Sequence, residues 1–260
     1  MSNFDYKKSL GQNFIKDNNI IDKIVKFANV DKDTLVIEVG PGAGSLSKKI
    51  VPLAGYSILY EIDTRLKDIL DDVLNENNNY EIIFNDVLKQ NVKDDIKKYN
   101  YKKVYVVANL PYYITTPIIT KLIDEVFPDK IVIMIQDEVA DRLSAKCGSR
   151  DYGMITVLLS SRYNISKLFK VSRNCFEPVP NVDSAVISLD KKLDNLDIDF
   201  CRFERFIKDA FKYKRKNLRN NLKGYDIEKI DNILNQHELS ISCRAEEVST
   251  ELFIEIFKNL

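Results

Sequence analysis

Five short apolar runs through the first half of the chain, each followed by a segment of helical periodicity, constrain its fold more than any other feature. Leu35 to Val39, Ser57 to Glu61, Glu81 to Phe84, Val104 to Ala108 and Ile131 to Ile135 read as strands. Strands separated by helices pair in parallel, so the pattern predicts an α/β sheet. Ahead of the first strand, Ile20, Ile21, Ile24, Val25, Phe27 and Ala28 form an apolar stripe on a helix that starts near Asp17. Met154 to Ser160 and Asp183 to Leu189 read as further strands completing the sheet. From about Asp199 the pattern turns wholly helical, over Phe200 to Tyr213, Asp226 to Gln236 and Thr250 to Phe257. The polar stretch Asp190 to Asp197 is the natural linker, which gives a sheet domain over 1–190 and a small all-helical domain over 199–260.

The strand ends carry the chemistry. Val36-Ile-Glu-Val-Gly-Pro-Gly-Ala-Gly44 places glycines where the first strand gives way to a helix, and bare backbone there lets a ligand approach closely. The Gly-x-Gly-x-Gly spacing with Ser45 following fits a diphosphate ligand poorly. Glu61 ends the second strand, where a carboxylate can accept both hydroxyls of a ribose. Asp86 ends the third, suited to accept from an adenine amino group. The fourth strand runs into Asn109-Leu110-Pro111-Tyr112. An amide oxygen and a carbonyl fixed by the following proline can both accept from an exocyclic amino group, and Tyr112 offers a face for stacking. As a short motif this is also ordinary turn punctuation. Behind a glycine turn and two acids in order, it indicates an S-adenosylmethionine site facing an amino-bearing base.

Composition removes other classes. With 45% hydrophobic and 30% charged residues the chain is that of a soluble globular protein. It has no run of about 18 apolar residues and no signal-peptide core, so a cytoplasmic location without membrane contact is expected. Cys147, Cys175, Cys201 and Cys243 are too widely spaced for a metal knuckle and read as reduced, mostly packing residues; no metal is expected. His237 is the single histidine and stands far from the strand ends, which argues against a histidine base. Net charge is zero, yet residues 200–224 hold nine basic residues, Arg202, Arg205, Lys208, Lys212, Lys214, Arg215, Lys216, Arg219 and Lys223, against Glu204 and Asp209. That run is a solvated helix face or a phosphate-contacting surface. Phe203 and Phe206 within it have the spacing of core residues.

These motifs resemble the KsgA-type small-subunit 16S rRNA adenine dimethyltransferases, nearly end to end. The likeness runs through Leu10-Gly-Gln-Asn-Phe-Ile15, Glu38-Val-Gly-Pro-Gly42, Asn109-Leu-Pro-Tyr-Tyr-Ile-Thr-Thr-Pro117, Gln136-Asp-Glu-Val-Ala140, Gly148-Ser-Arg-Asp-Tyr-Gly153, Phe176-Glu-Pro-Val-Pro-Asn-Val-Asp-Ser-Ala185 and Phe211-Lys-Tyr-Lys-Arg-Lys-Asn-Leu218. The resemblance implies a Rossmann-like class I methyltransferase sheet with S-adenosylmethionine as cofactor. By that likeness Asn13 and Ile15 form an N-terminal lip over the cofactor, Gly40 approaches its methionine portion, Glu61 holds the ribose and Asp86 the adenine. Asn109 is shared between cofactor and target, Leu110 contributes its carbonyl, Tyr112 stacks on the flipped base and Phe176 is a second aromatic partner. The implied substrate is a pair of adjacent adenosines in the 3′-terminal hairpin of small-subunit rRNA, within a nearly assembled subunit, modified by a monomeric enzyme.

Asp137 departs from the family pattern, which often has lysine there, and the neutral net charge departs from a commonly basic one. Three rival readings remain: a macrolide-resistance type dimethyltransferase of large-subunit rRNA, an RNA-binding assembly factor, and a dinucleotide-dependent dehydrogenase. The last gives no role to Asn109 or Asp86.

Overall fold

A computed structural model describes residues 12–193 and 196–260. Leu10 and Gly11 of the first motif, and residues 194–195 of the expected linker, lie outside the described residues. Seven strands form one sheet: β2 (Thr34–Val39), β3 (Tyr56–Glu61), β4 (Tyr80–Phe84), β5 (Lys103–Asn109), β6 (Lys130–Gln136), β7 (Tyr163–Val171) and β9 (Ser184–Lys191). Their order is β4-β3-β2-β5-β6-β9-β7. Strands β2 to β6 pair in parallel as the alternating pattern predicts, and β9 runs antiparallel to β6. A separate two-stranded ladder joins β1 (Phe14–Ile15) to β8 (Phe176–Glu177).

Every residue of β2 is buried, because helices cover both faces of a central parallel strand. The chain leaves β2 toward β3 on one side and returns to β5 on the other. That reversal opens a crevice beyond the carboxyl ends of β2 and β5, where open α/β sheets bind ligands. Helix Asn18–Ala28 begins as its sequence dictates: the Asp17 side chain accepts from Asn19 N at 2.9 Å, and Ile20, Ile21, Ile24 and Ala28 turn inward. This stripe packs with Val36, Val107, Val132, Met134 and Val186 of the sheet.

Two compact units divide the described chain. One takes the described part of Met1–Ala140 with Ser166–Lys191; the other takes Asp141–Ile165 with Lys192–Leu260. The boundary expected between 190 and 199 therefore leaves out 141–165, which groups with the helical residues. Its side chains explain why: Tyr152, Val157 and Leu158 share a core with Phe203, Phe206, Ile207, Leu234 and Phe253.

Met154–Ser160 is a helix and not the strand its sequence predicts. The run Met-Ile-Thr-Val-Leu-Leu is apolar all round, so periodicity does not decide its conformation. Thr156 donates through its hydroxyl to Arg142 O at 2.8 Å and accepts from Gly153 N, which fixes the first turn. Strand β7 went unread, because its polar, irregularly buried sequence lacks a clean two-residue alternation. Cys175 and Cys243 pack against the two cores, whereas Cys147 and Cys201 are exposed, and all four are free thiols. No helix among the described residues is long and apolar enough to cross a membrane.

Candidate functional site

The glycine turn is tied down at both ends. Gly40 N donates to Tyr60 O at 2.9 Å, and Gly44 N to Pro41 O at 2.9 Å. At Gly42 the backbone is left-handed, with φ of 59°, and a Cβ there would stand 2.4 Å from the Phe14 ring. Only glycine lets Phe14 lie across this turn. A Cβ on Gly40 would lie 3.9 Å from Asn109 O, so the glycine turn and the Asn-Leu-Pro-Tyr loop adjoin.

Glu61 binds the turn to the next strand. One carboxylate oxygen accepts from Gly42 N at 3.0 Å and the other from Asp63 N at 2.9 Å. Burial raises its pKa, opposed by the backbone N–H groups of Asp63, Gly42 and Ile62. Asp63 is shifted the other way. The Arg65 guanidinium on its carboxylate holds it down to about 2 against the pull of burial, and Gln12 Nε2 adds a hydrogen bond of 2.8 Å. Beneath the turn, Glu38 is 1% exposed and its Oε2 has no hydrogen-bond partner. Burial pushes Glu38 up to about 8, with the Ser47 side chain opposing and Glu61 adding repulsion. Its carboxyl is therefore largely neutral at pH 7.

The third and fourth strand ends complete the ring. Asp86 uses Oδ1 to accept from Leu88 N at 3.0 Å, closing a short 3₁₀ turn. Asn109 Nδ2 donates to Asn13 O at 3.0 Å, which commits the amide N–H side to the N-terminal segment and leaves Oδ1 as the acceptor that can face a ligand. Leu110 N is held by Met134 O at 3.1 Å, and the Thr115 hydroxyl donates to Pro111 O at 3.0 Å. The phenol of Tyr112 meets Ser184 Oγ, and burial raises its pKa.

The four strand ends and the N-terminal segment wall a cleft whose empty space, open solvent at its mouth included, is about 950 Å³. Asn13, Ile15, Gly40, Glu61, Asp86, Asn109, Leu110 and Tyr112 all line it. Phe176 is not among the lining residues. Its side chain is 0% exposed, packs in the core with Ile20, Ile24 and Val171, and sits opposite Ile15 in the β1–β8 ladder.

Glu38 and Gln12, which line the cavity, were missed, as was Asp63, which holds Gln12 from outside the lining. A carboxylate inside the buried Val36-Ile-Glu-Val run was a signal for Glu38, as was the two-residue spacing of Asp63 from Glu61. Asp137 is explained by its neighbours. Although burial pulls its pKa up, Lys167 at 2.7 Å and Lys170 at 3.0 Å hold it below the ordinary value, so its charge is matched locally. His237 pairs with Glu255 in the helical unit. There too, all nine basic residues of the 200–224 run are exposed, while Phe203 and Phe206 are core.

Residues 3–260 match the ribosomal RNA adenine dimethylase family. The ribosomal RNA small subunit methyltransferase A of Oceanobacillus iheyensis is 39% identical, over 97% of this chain and 90% of its own. Among solved structures, a dimethyladenosine transferase from Plasmodium falciparum superposes with a TM-score of 0.81 at 25% identity, covering 95% of this chain and 96% of that one. The 23S rRNA methyltransferase ErmE does so with a TM-score of 0.79 at 25% identity, covering 95% and 99%.

Proposed function

The chain belongs to the ribosomal RNA adenine dimethylase family, and on that premise we propose that it dimethylates the 6-amino groups of two adjacent adenosines in the 3′-terminal hairpin of 16S rRNA. It acts as a monomer on a nearly assembled small subunit in the cytoplasm, with S-adenosylmethionine as donor. The observation that carries this reading is the junction of the glycine turn with an amide whose N–H side is already committed, so that an acceptor remains for an amino group.

The cavity fits that cofactor. A buried carboxyl oxygen without a protein partner, Glu38 Oε2, is left as an acceptor for the ligand. Glu61 lines the cavity, and its carboxylate, held in place by backbone N–H groups, would accept from a ribose hydroxyl. Asp86 would accept from the adenine amino group, Gly40 would admit the methionine portion, and Asn13 and Ile15 would close over the top. When bound, S-adenosylmethionine supplies an electrophilic methyl group on a sulfonium.

The protein's remaining work is alignment. Orientation effects contribute up to roughly 7 to 11 kcal/mol in general. The amino nitrogen of adenine is normally delocalised into its ring. Hydrogen bonds from it to Asn109 Oδ1 and the Leu110 carbonyl favour a pyramidal nitrogen with a localised lone pair, and both acceptors then face the positive charge as it develops. No histidine base is required, because the methylated nitrogen is acidic enough to release its proton to water. An adenine must leave the stack to reach the cavity, and stacking on Tyr112 offsets that cost by about 1 to 3 kcal/mol. The exposed basic run of the helical unit supplies phosphate contacts.

Incubation with labelled S-adenosylmethionine and undermethylated small subunits, followed by mass-spectrometric mapping, tests this function. Two methyl groups on each of two adjacent adenosines are expected. Label confined to large-subunit rRNA would assign the macrolide-resistance reaction, and stoichiometric binding without single-turnover transfer would leave an assembly factor.

A further inference from the structure

Ser184 reaches the base-binding loop from a distant part of the chain. Its Oγ lies 2.5 Å from the Tyr112 hydroxyl, and it is 0% exposed. It opens β9 and stands opposite Gln136 in the antiparallel β6–β9 ladder, next to the Asp137 N to Asp183 O bond of 3.0 Å. Strand β9 lies between β6 and β7 within the sheet, so the backbone that carries Ser184 belongs to an interior strand. The other end of Tyr112 is tethered as well. Pro111 precedes it, and the Thr115 hydroxyl holds Pro111 O at 3.0 Å and Tyr112 O at 3.4 Å.

The hydroxyl oxygen of a tyrosine lies on the axis of its second torsion, so anchoring backbone and hydroxyl sets the first torsion and with it the line along which the ring lies. We propose that Ser184 is a positioning residue for methyl transfer: acting through the Tyr112 hydroxyl, it fixes the direction and place of the ring against which the target base lies. This rests on the stacking role proposed for Tyr112. A ring held in one direction delivers the amino nitrogen in line with the methyl group, whereas a ring free to swing holds the base equally well but at varied angles. The expected signature is a loss in the transfer step with little loss in binding.

The test is a double-mutant cycle of Ser184→Ala and Tyr112→Phe, read by single-turnover methyl transfer to undermethylated subunits and by calorimetric titration with S-adenosylmethionine. Tyr112→Phe keeps the stacking face and removes the tether. Each single variant should lose about tenfold in transfer rate, the size of one hydrogen bond's contribution. The double variant should fall no further than the slower single one, cofactor affinity should stay within about twofold, and Ser184→Thr should recover most of the rate. Multiplying losses, or a normal rate in Ser184→Ala, would overturn the proposal. Tyr112→Ala separates the two layers of the argument. Near-normal transfer there removes the stacking role and this inference with it, while loss there combined with a normal Ser184→Ala removes the inference alone.

Discussion

Glu38→Gln should shift the stability of the ligand-free protein increasingly in the variant's favour as pH rises. The wild-type carboxyl is fully buried beneath the glycine turn, and burial lifts its pKa from the ordinary 4.5 to about 8. Between those two values the unfolded chain gives up the proton while the folded protein keeps it, so wild-type stability falls as pH rises through the window. At about 1.4 kcal/mol per unit, the loss reaches roughly 3 kcal/mol at pH 7 and about 5 kcal/mol above pH 8. Glutamine has nearly the same shape and cannot ionise, so it escapes this loss. Its amide adds an unsatisfied buried donor that costs about 1 to 3 kcal/mol, the same at every pH. The slope of the difference between variants is therefore the diagnostic quantity. The chain has no tryptophan, so urea unfolding of the two proteins is best followed by far-UV circular dichroism, at steps between about pH 5 and pH 8.5. The two stability curves should diverge by more than about 2 kcal/mol across that range. Parallel curves would mean that Glu38 is already ionised and partnered when folded, and would refute the account of the cavity floor.

Three further outcomes are expected. Asn109→Ala should abolish methyl transfer while calorimetry still detects S-adenosylmethionine binding; near-normal turnover would end the proposed role of its amide. Asp63→Asn should destabilise by about 1 kcal/mol at pH 7, a figure discounted because Arg65 is one-third exposed. Since Asp63 is depressed to about 2, its contribution is complete above its ordinary value and is lost as pH falls through 2, so the deficit should vanish in strong acid. Replacing Lys212, Lys214 and Lys216 together by Glu should weaken subunit binding and flatten its dependence on salt, as filter-binding titrations at several ionic strengths would show. Unchanged affinity would return that run to the status of a solvated face.

What the sequence determined by itself is whatever short stretches specify locally. The five parallel strands follow from their apolar runs, and helix Asn18–Ala28 from its cap and stripe. Gly40, Glu61, Asp86 and Asn109 were legible because each stands at the carboxyl end of a strand, and parallel strands carry their ends to one edge of the sheet. Tertiary structure decided the rest. Pairing of Phe176 with Ile15, 161 positions apart in sequence, seats its side chain in the core beside Ile20 and Ile24. The run Met154–Ser160 is a helix whose Val157 and Leu158 join the core of the helical unit, a partner that local periodicity cannot express. The hold of Ser184 on Tyr112 and of Gln12 on Asp63 joins residues 72 and 51 positions apart. A sequence states which side chains can accept, donate or stack, because that is a property of each residue. Which partner each one meets depends on strand order and register, and those are fixed only when the whole sheet has closed on its core.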